Sequence, residues 1–127
     1  MESDPGLSFE LVAASLRADA ADLGVFLEVL AAKLLGALPG QAVVETSGGL
    51  IGKRRVRQIS IDLGEHRYEL ARERTGLAAR RIHRVRGVSL KTEPLALERW
   101  IDELSRALSE YARESAAGRA AIARLVQ

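Results

Sequence analysis

The stretch "ISIDLGEHRYEL", residues 59 to 70, decides how the rest of the chain is read. Ile59, Ile61 and Leu63 fall on one parity, while Gln58, Ser60 and Asp62 fall on the other. A period of two is that of a half-buried β-strand. Gly64-Glu65 then interrupts the run with the Gly-X pattern of a two-residue type II′ hairpin turn. Folding the chain there sets Leu63 opposite His66, Ile61 opposite Tyr68 and Ile59 opposite Leu70 on one face, and Asp62 opposite Arg67 on the other. Apolar side chains meet apolar ones and opposite charges meet, an agreement that a slip of one residue would destroy.

Upstream of the hairpin, Ala42 to Thr46 has the β-branched content of another strand. The segment between, "ETSGGLIGKRRVRQ" at residues 45 to 58, is rich in glycine and cations and invites comparison with a phosphate-binding loop. A Walker A motif ending at Gly52-Lys53 needs glycine at position 47 and a hydroxyl at 54, with a helix to follow. The chain has Ser47 and Arg54, and an alternating strand follows. Residues 47 to 52 therefore read as a hairpin loop that binds no nucleotide, and Leu50 and Ile51 at its tip are candidate partner contacts, since apolar side chains on a loop mark interaction surfaces. Downstream, the Thr75-Gly76 turn introduces a fourth strand within Ala79 to Leu90. Ile82, Val88 and Leu90 share a parity that Val85 does not, and a β-bulge near His83 to Arg86 reconciles them.

On either side of the strands the period changes to that of a helix. Phe9, Val12, Leu16, Ala20, Leu23, Leu27, Leu30, Leu34 and Leu38 follow three- and four-residue steps, with Ser8 as N-cap, Pro39-Gly40 as terminator and a weak point at Gly24. Leu97, Trp100, Ile101, Leu104, Leu108 and Tyr111 make a second amphipathic helix, with Trp100 and Tyr111 directed at the core. A break near Ser115 to Gly118 leaves a short third helix within residues 116 to 127. The expected fold is α+β: a two-layer sandwich in which an antiparallel four-stranded meander, in the order helix-β-β-β-β-helix, is covered by helices packed on one face. One domain spans residues 1 to 127, and residues 1 to 7 are expected to be a flexible tail.

Composition narrows the chemistry. Cysteine is absent, which removes disulfides, thiol catalysis and thiolate metal sites, and only two histidines are present. His66 and His83 have no nucleophile or carboxylate at a motif-defining spacing, and Asp102-Glu103 reads as solvated helix surface. No catalytic residue, cofactor or metal ligand is expected. The N-terminal MESDPG lacks the features of a secretory signal, and the apolar region from Leu23 to Val44 is broken by Glu28, Lys33 and Pro39-Gly40, so a cytoplasmic location is expected. Sixteen arginines against three lysines point to a GC-rich bacterial genome.

Net charge is +2, but residues 53 to 91 hold twelve Lys/Arg against four Asp/Glu and the remainder is correspondingly acidic. Within "RRIHRVRGVSLK", residues 80 to 91, Arg80, Arg84 and Arg86 share one side of a regular strand and form a candidate row for phosphates or an acidic partner. The competing reading is an exposed face neutralised by Glu69 and Glu73. The basic region holds one aromatic, Tyr68, which the hairpin register turns toward the core, so base stacking is not expected and nucleic-acid binding reduces to non-specific phosphate contact.

The runs "RGVSLKTEPLALERWIDELSRAL" and "ISIDLGEHRYEL", with "LPG" at residues 38 to 40, resemble a group of small uncharacterised proteins from high-GC bacteria, over residues 22 to 127. That resemblance implies a compact single domain and no particular activity. The expected function is that of a non-enzymatic, cytoplasmic interaction or adaptor domain. It would hold a protein partner or a second copy through the sheet surface or the Leu50-Ile51 loop, with non-specific nucleic-acid binding as the alternative.

Overall fold

The computed structural model describes residues 5–48 and 55–126. The elements are α1 (Pro5–Asp19), α2 (Leu23–Ala37), β1 (Ala42–Ser47), β2 (Arg55–Leu63), β3 (His66–Glu73), β4 (Gly76–Val85), β5 (Val88–Leu95), α3 (Leu97–Glu114) and α4 (Ala116–Leu125). The strands form one antiparallel sheet in the order β1-β2-β3-β4-β5. It is a meander in which each strand pairs with the next. The α+β class is as expected, but the sheet has five strands where four were expected.

The central hairpin has the register derived from its alternation: Ile59 pairs with Leu70, Ile61 with Tyr68, Asp62 with Arg67 and Leu63 with His66. Gly64 carries a φ of 61°, the left-handed conformation a II′ turn demands at its first central residue. The fifth strand arises at Arg86-Gly87, where φ is 53° and 81°. Two successive left-handed residues are the signature of a two-residue I′ turn, and they reverse the chain so that Val85 pairs with Val88. The segment expected as one strand across a bulge is thus two strands. An irregularity does fall between His83 and Arg84, but its additional residue is Leu90, because Lys91 pairs with His83 while Ser89 pairs with Arg84.

The apolar stripe from Phe9 to Leu38 belongs to two helices, not one. Asp22 stands between them in an extended conformation, and its side-chain oxygen accepts the Gly24 N–H at 3.0 Å. That is an N-cap, which satisfies a donor the new helix leaves free. The stripe continues across the break because both helices feed the same core. Val12 and Leu16 of α1 join Phe26, Leu27, Leu30 and Leu34 of α2 in one buried cluster with Ile59, Ile61, Tyr68 and Leu70 of the sheet. Trp100, Ile101, Leu104 and Leu108 of α3 and Ile122 and Leu125 of α4 complete it. The helix begins at Pro5, so residues 5 to 7 belong to it, and residues 1 to 4 lie outside those described.

Polar contacts tie helices to strands at a few points. The Trp100 Nε1–H donates to the Arg80 carbonyl at 3.1 Å, and the Val56 N–H donates to Glu28 Oε1 at 2.8 Å. Gln41 Nε2 donates to the Tyr111 hydroxyl at 2.8 Å. No helix among the described residues is long and apolar enough to cross a membrane.

Candidate functional site

The arginine row does not form as expected. Arg80 and Arg84 do share one parity of β4, but Arg86 sits in the I′ turn and leaves the strand. Each of the remaining two meets a carboxylate: Arg80 lies 3.3 Å from Glu69 and Arg84 3.8 Å from Asp62. Asp62 also accepts from Arg67 through both oxygens, at 2.7 and 3.0 Å. Arg57 stands 3.4 Å from Glu45 on the neighbouring strand. Four guanidiniums therefore face three carboxylates across this surface. The Arg67 hydrogen bond holds the Asp62 carboxyl below the usual carboxylate range, with smaller help from the charges of Arg67 and Arg84. Exposed pairs of this kind contribute only about 0–1 kcal/mol each, and together they offset most of the positive charge of this surface without cancelling it, since Arg86 also lines a hollow here with Asp62, Arg67 and Arg84. Glu73, the other anion expected to neutralise the row, lies at the far end of β3 opposite Gly76. Leu50 and Ile51 lie outside the described residues.

The opposite parity of β3, β4 and β5 carries a second polar group. Arg81 donates to Glu93 of β5 at 2.8 Å and to Glu103 of α3 at 3.0 Å, joining two strands and a helix. Beside it, His66 and His83 face each other across β3 and β4. Their rings stack at a centroid separation of 5.1 Å and an interplanar angle of 29°. Three hollows among the described residues border this group, one of them, of about 400 Å³, shared between His66 and Asp62, Arg67, Arg84 and Arg86 of the arginine face. Another of about 290 Å³ is lined by His66, Tyr68, Arg81, Glu103, Glu110 and Tyr111 among others, and the third, of about 190 Å³, by His66, Arg81, His83, Lys91 and Glu93. Burial lowers the pKa of His66, and the charges of Arg81 and His83 lower it further, against the opposing pull of Glu65 and Glu103. Among the described residues no group of three or more His, Asp or Glu side chains converges as a metal-binding set.

The third feature is the edge strand β5. Val88, Ser89, Leu90, Lys91 and Thr92 are all exposed, and Val88 and Leu90 at 59% each are the most exposed large apolar side chains among the described residues. The opposite edge, β1, exposes Val43 at 56%.

Family models, curated proteins and solved structures give no match. Function is therefore read from the geometry of the site. Two of its elements escape a linear reading of the chain. The His66–His83 contact needs the register of the β3–β4 hairpin, which the turn at Arg74-Thr75 sets by pairing Glu73 with Gly76. Counting from that turn brings His66 opposite His83, a signal that a bulge placed at His83 conceals. The exposure of Val88 and Leu90 depends on the unexpected turn before them.

The lowered His66 pKa has a pH consequence. The native imidazole holds its proton less tightly than that of the unfolded chain, so below the ordinary histidine value of about 6.5 the unfolded state binds more protons. Stability from this residue is present at neutral pH and declines as pH falls through that value. Asp62, with its own pKa lowered, contributes a further loss at more acidic pH, as its native carboxylate becomes protonated. Thermal melts of the wild type should show the midpoint falling between about pH 7 and pH 5, and His66→Asn should flatten that part of the curve. An unchanged slope in the variant would assign the loss to other groups.

Proposed function

We propose that the protein is a non-enzymatic, cytoplasmic interaction domain, and that its binding surface is the edge strand β5, with a second copy of the same chain as its partner. The observation that carries this reading is the exposure of Val88 and Leu90 on a strand that, among the described residues, has no neighbour on its outer side. In this arrangement the helices cover the face bearing Ile59, Ile61, Tyr68 and Leu70 and leave the β5 edge open. An exposed strand edge offers unpaired backbone N–H and C=O groups to another strand, and apolar side chains beside it supply the burial that makes pairing favourable.

The sequence of β5 is complementary to itself. Two antiparallel copies crossing at Thr92 set Lys91 opposite Glu93 of the second copy, and the two-fold symmetry repeats that pair. Leu90 then meets Pro94, and Val88 meets Ala96. Proline cannot donate to a ladder, and in this register it falls opposite Leu90, where the bulge already interrupts regular pairing. The same crossing on β1 offers no such match, since about Val44 it would set Val43 against Glu45. Pairing of the arginine face with Glu45, Asp62 and Glu69 favours this reading over the nucleic-acid alternative, which would need those cations free.

Sedimentation velocity over a range of concentrations tests the proposal. Wild type should associate to a dimer, and Lys91→Glu, which places like charges opposite each other twice, should weaken association at least tenfold, equivalent to about 1.4 kcal/mol. Val43→Lys on the other edge should leave it unchanged. Monomeric wild type throughout, or dissociation by Val43→Lys in place of Lys91→Glu, would overturn the assignment of β5.

A further inference from the structure

The chain has two histidines, seventeen residues apart, and the fold brings them face to face. The Arg84 N–H donates to the Glu65 carbonyl at 2.7 Å. This bond joins the residue before His66 to the residue after His83, which makes the histidines a non-hydrogen-bonded pair of the ladder. Side chains of such pairs approach most closely, with Cα atoms about 4.5 Å apart. We propose that His66 and His83 form a two-histidine chelate for a late first-row transition-metal dication, with copper(II) bound more tightly than nickel(II) or zinc(II). This inference is independent of whether β5 pairs with a second copy.

Two observations support it. A shared metal at about 2.0–2.1 Å from each imidazole nitrogen requires the two nitrogens to lie closer than the present ring centroids, and rotation about the side-chain torsions of two facing, partly exposed rings supplies that approach. Both rings border the 190 Å³ hollow, which has room for water to complete the coordination sphere.

The surroundings select the class of ion. Arg81 is held by Glu93 and Glu103, and Lys91 pairs with His83 from β5, so the neighbourhood offers a cation little Coulombic attraction. Among the described residues no carboxylate joins the histidines to make a set of three. Magnesium and calcium, which require oxygen ligands, have no purchase here, whereas imidazole suits copper, nickel and zinc, with copper strongest in that series.

Tag-free protein titrated calorimetrically with copper(II), nickel(II), zinc(II), magnesium and calcium provides the test. Copper should bind one ion per chain, nickel and zinc more weakly, and magnesium and calcium should give no heat. His66→Asn and His83→Asn should each weaken copper binding at least tenfold while keeping the wild-type circular dichroism. Electron paramagnetic resonance of the copper-loaded wild type should show two equivalent imidazole nitrogens, a reading that holds even if one variant folds poorly. Absence of copper binding, binding unaltered in either folded variant, or a spectrum without two imidazole nitrogens would each overturn the proposal.

Discussion

Trp100→Ala is expected to lower the free energy of unfolding by about 3–5 kcal/mol, the largest effect of any single truncation considered. Trp100 is fully buried, with none of its surface exposed. It stands on the same helical face as Leu104 and Leu108 and shares their core. Removing the indole leaves a cavity between α3 and the sheet that rigid strand backbone cannot close. It also removes the indole N–H that donates to the Arg80 carbonyl at 3.1 Å. Losing one hydrogen bond costs about 0.5–1.5 kcal/mol, so Trp100→Phe, which keeps an aromatic ring and loses that bond, should fall between wild type and alanine. Denaturant titration followed by far-ultraviolet circular dichroism measures all three. A loss of about 1 kcal/mol or less for the alanine variant, no more than a typical substitution costs, would contradict the placement of Trp100 at the centre of the core.

Gly118→Ala should destabilise by about 3 kcal/mol, the upper end of what overpacking costs, although alanine is the better helix former by about 1 kcal/mol. The sign is decided by space. A Cβ at residue 118 would lie 2.5 Å from the Tyr111 carbonyl oxygen and 2.8 Å from the Ala112 Cα. Both are backbone atoms of α3, so relief requires α4 to move as a whole. That movement would withdraw Ile122 and Leu125 from the core and the Leu125 carbonyl from its donors, Ser15 Oγ at 3.1 Å and Lys33 Nζ at 3.3 Å. Gly36→Ala is the control. Its Cβ would meet only the Arg124 guanidinium, at an ordinary 3.5 Å, so helix propensity should act unopposed and the change should be neutral or stabilising. If both alanine variants are stabilised, the close approach of α3 and α4 is wrong.

The parts of the fold that could be read from the residues are those where period and turn chemistry agree. Ile59 to Leu70 alternates without fault around Gly64, and every pair derived from it is present in the sheet. Where a turn lacks its customary residues, the reading failed. Arg86-Gly87 adopts the two left-handed conformations that Asn-Gly or Asp-Gly usually supplies, and arginine at the first of them disguised the reversal as a bulge. The parity conflict around Val85 was the trace of that hidden turn. The split between α1 and α2 was obscured for a different reason. Both helices press the same stripe into one core, so Asp22 and Gly24 were the local sign of a break that the hydrophobic pattern did not record. Function was less legible than fold, because a leucine in a strand is written the same way whether it is buried, like Leu70, or exposed, like Leu90. The charged residues were more legible: a face neutralised by Glu69 was already the competing reading of the arginine row, and Glu69 stands beside Arg80, with Asp62 in place of Glu73 beside Arg84.

A cysteine cross-link tests the account most directly, because the chain contains no cysteine of its own. The proposed crossing sets Thr92 against Thr92 of the second copy, and Cα separations of about 4.5–5.5 Å across an antiparallel pair fall within the range of about 4.4–6.8 Å that a disulfide accepts. Under mild oxidation Thr92→Cys should run on a non-reducing gel as a linked dimer, at concentrations where Val43→Cys on the opposite edge remains a monomer. A Thr92→Cys variant that cross-links no faster than Val43→Cys would contradict self-recognition through β5.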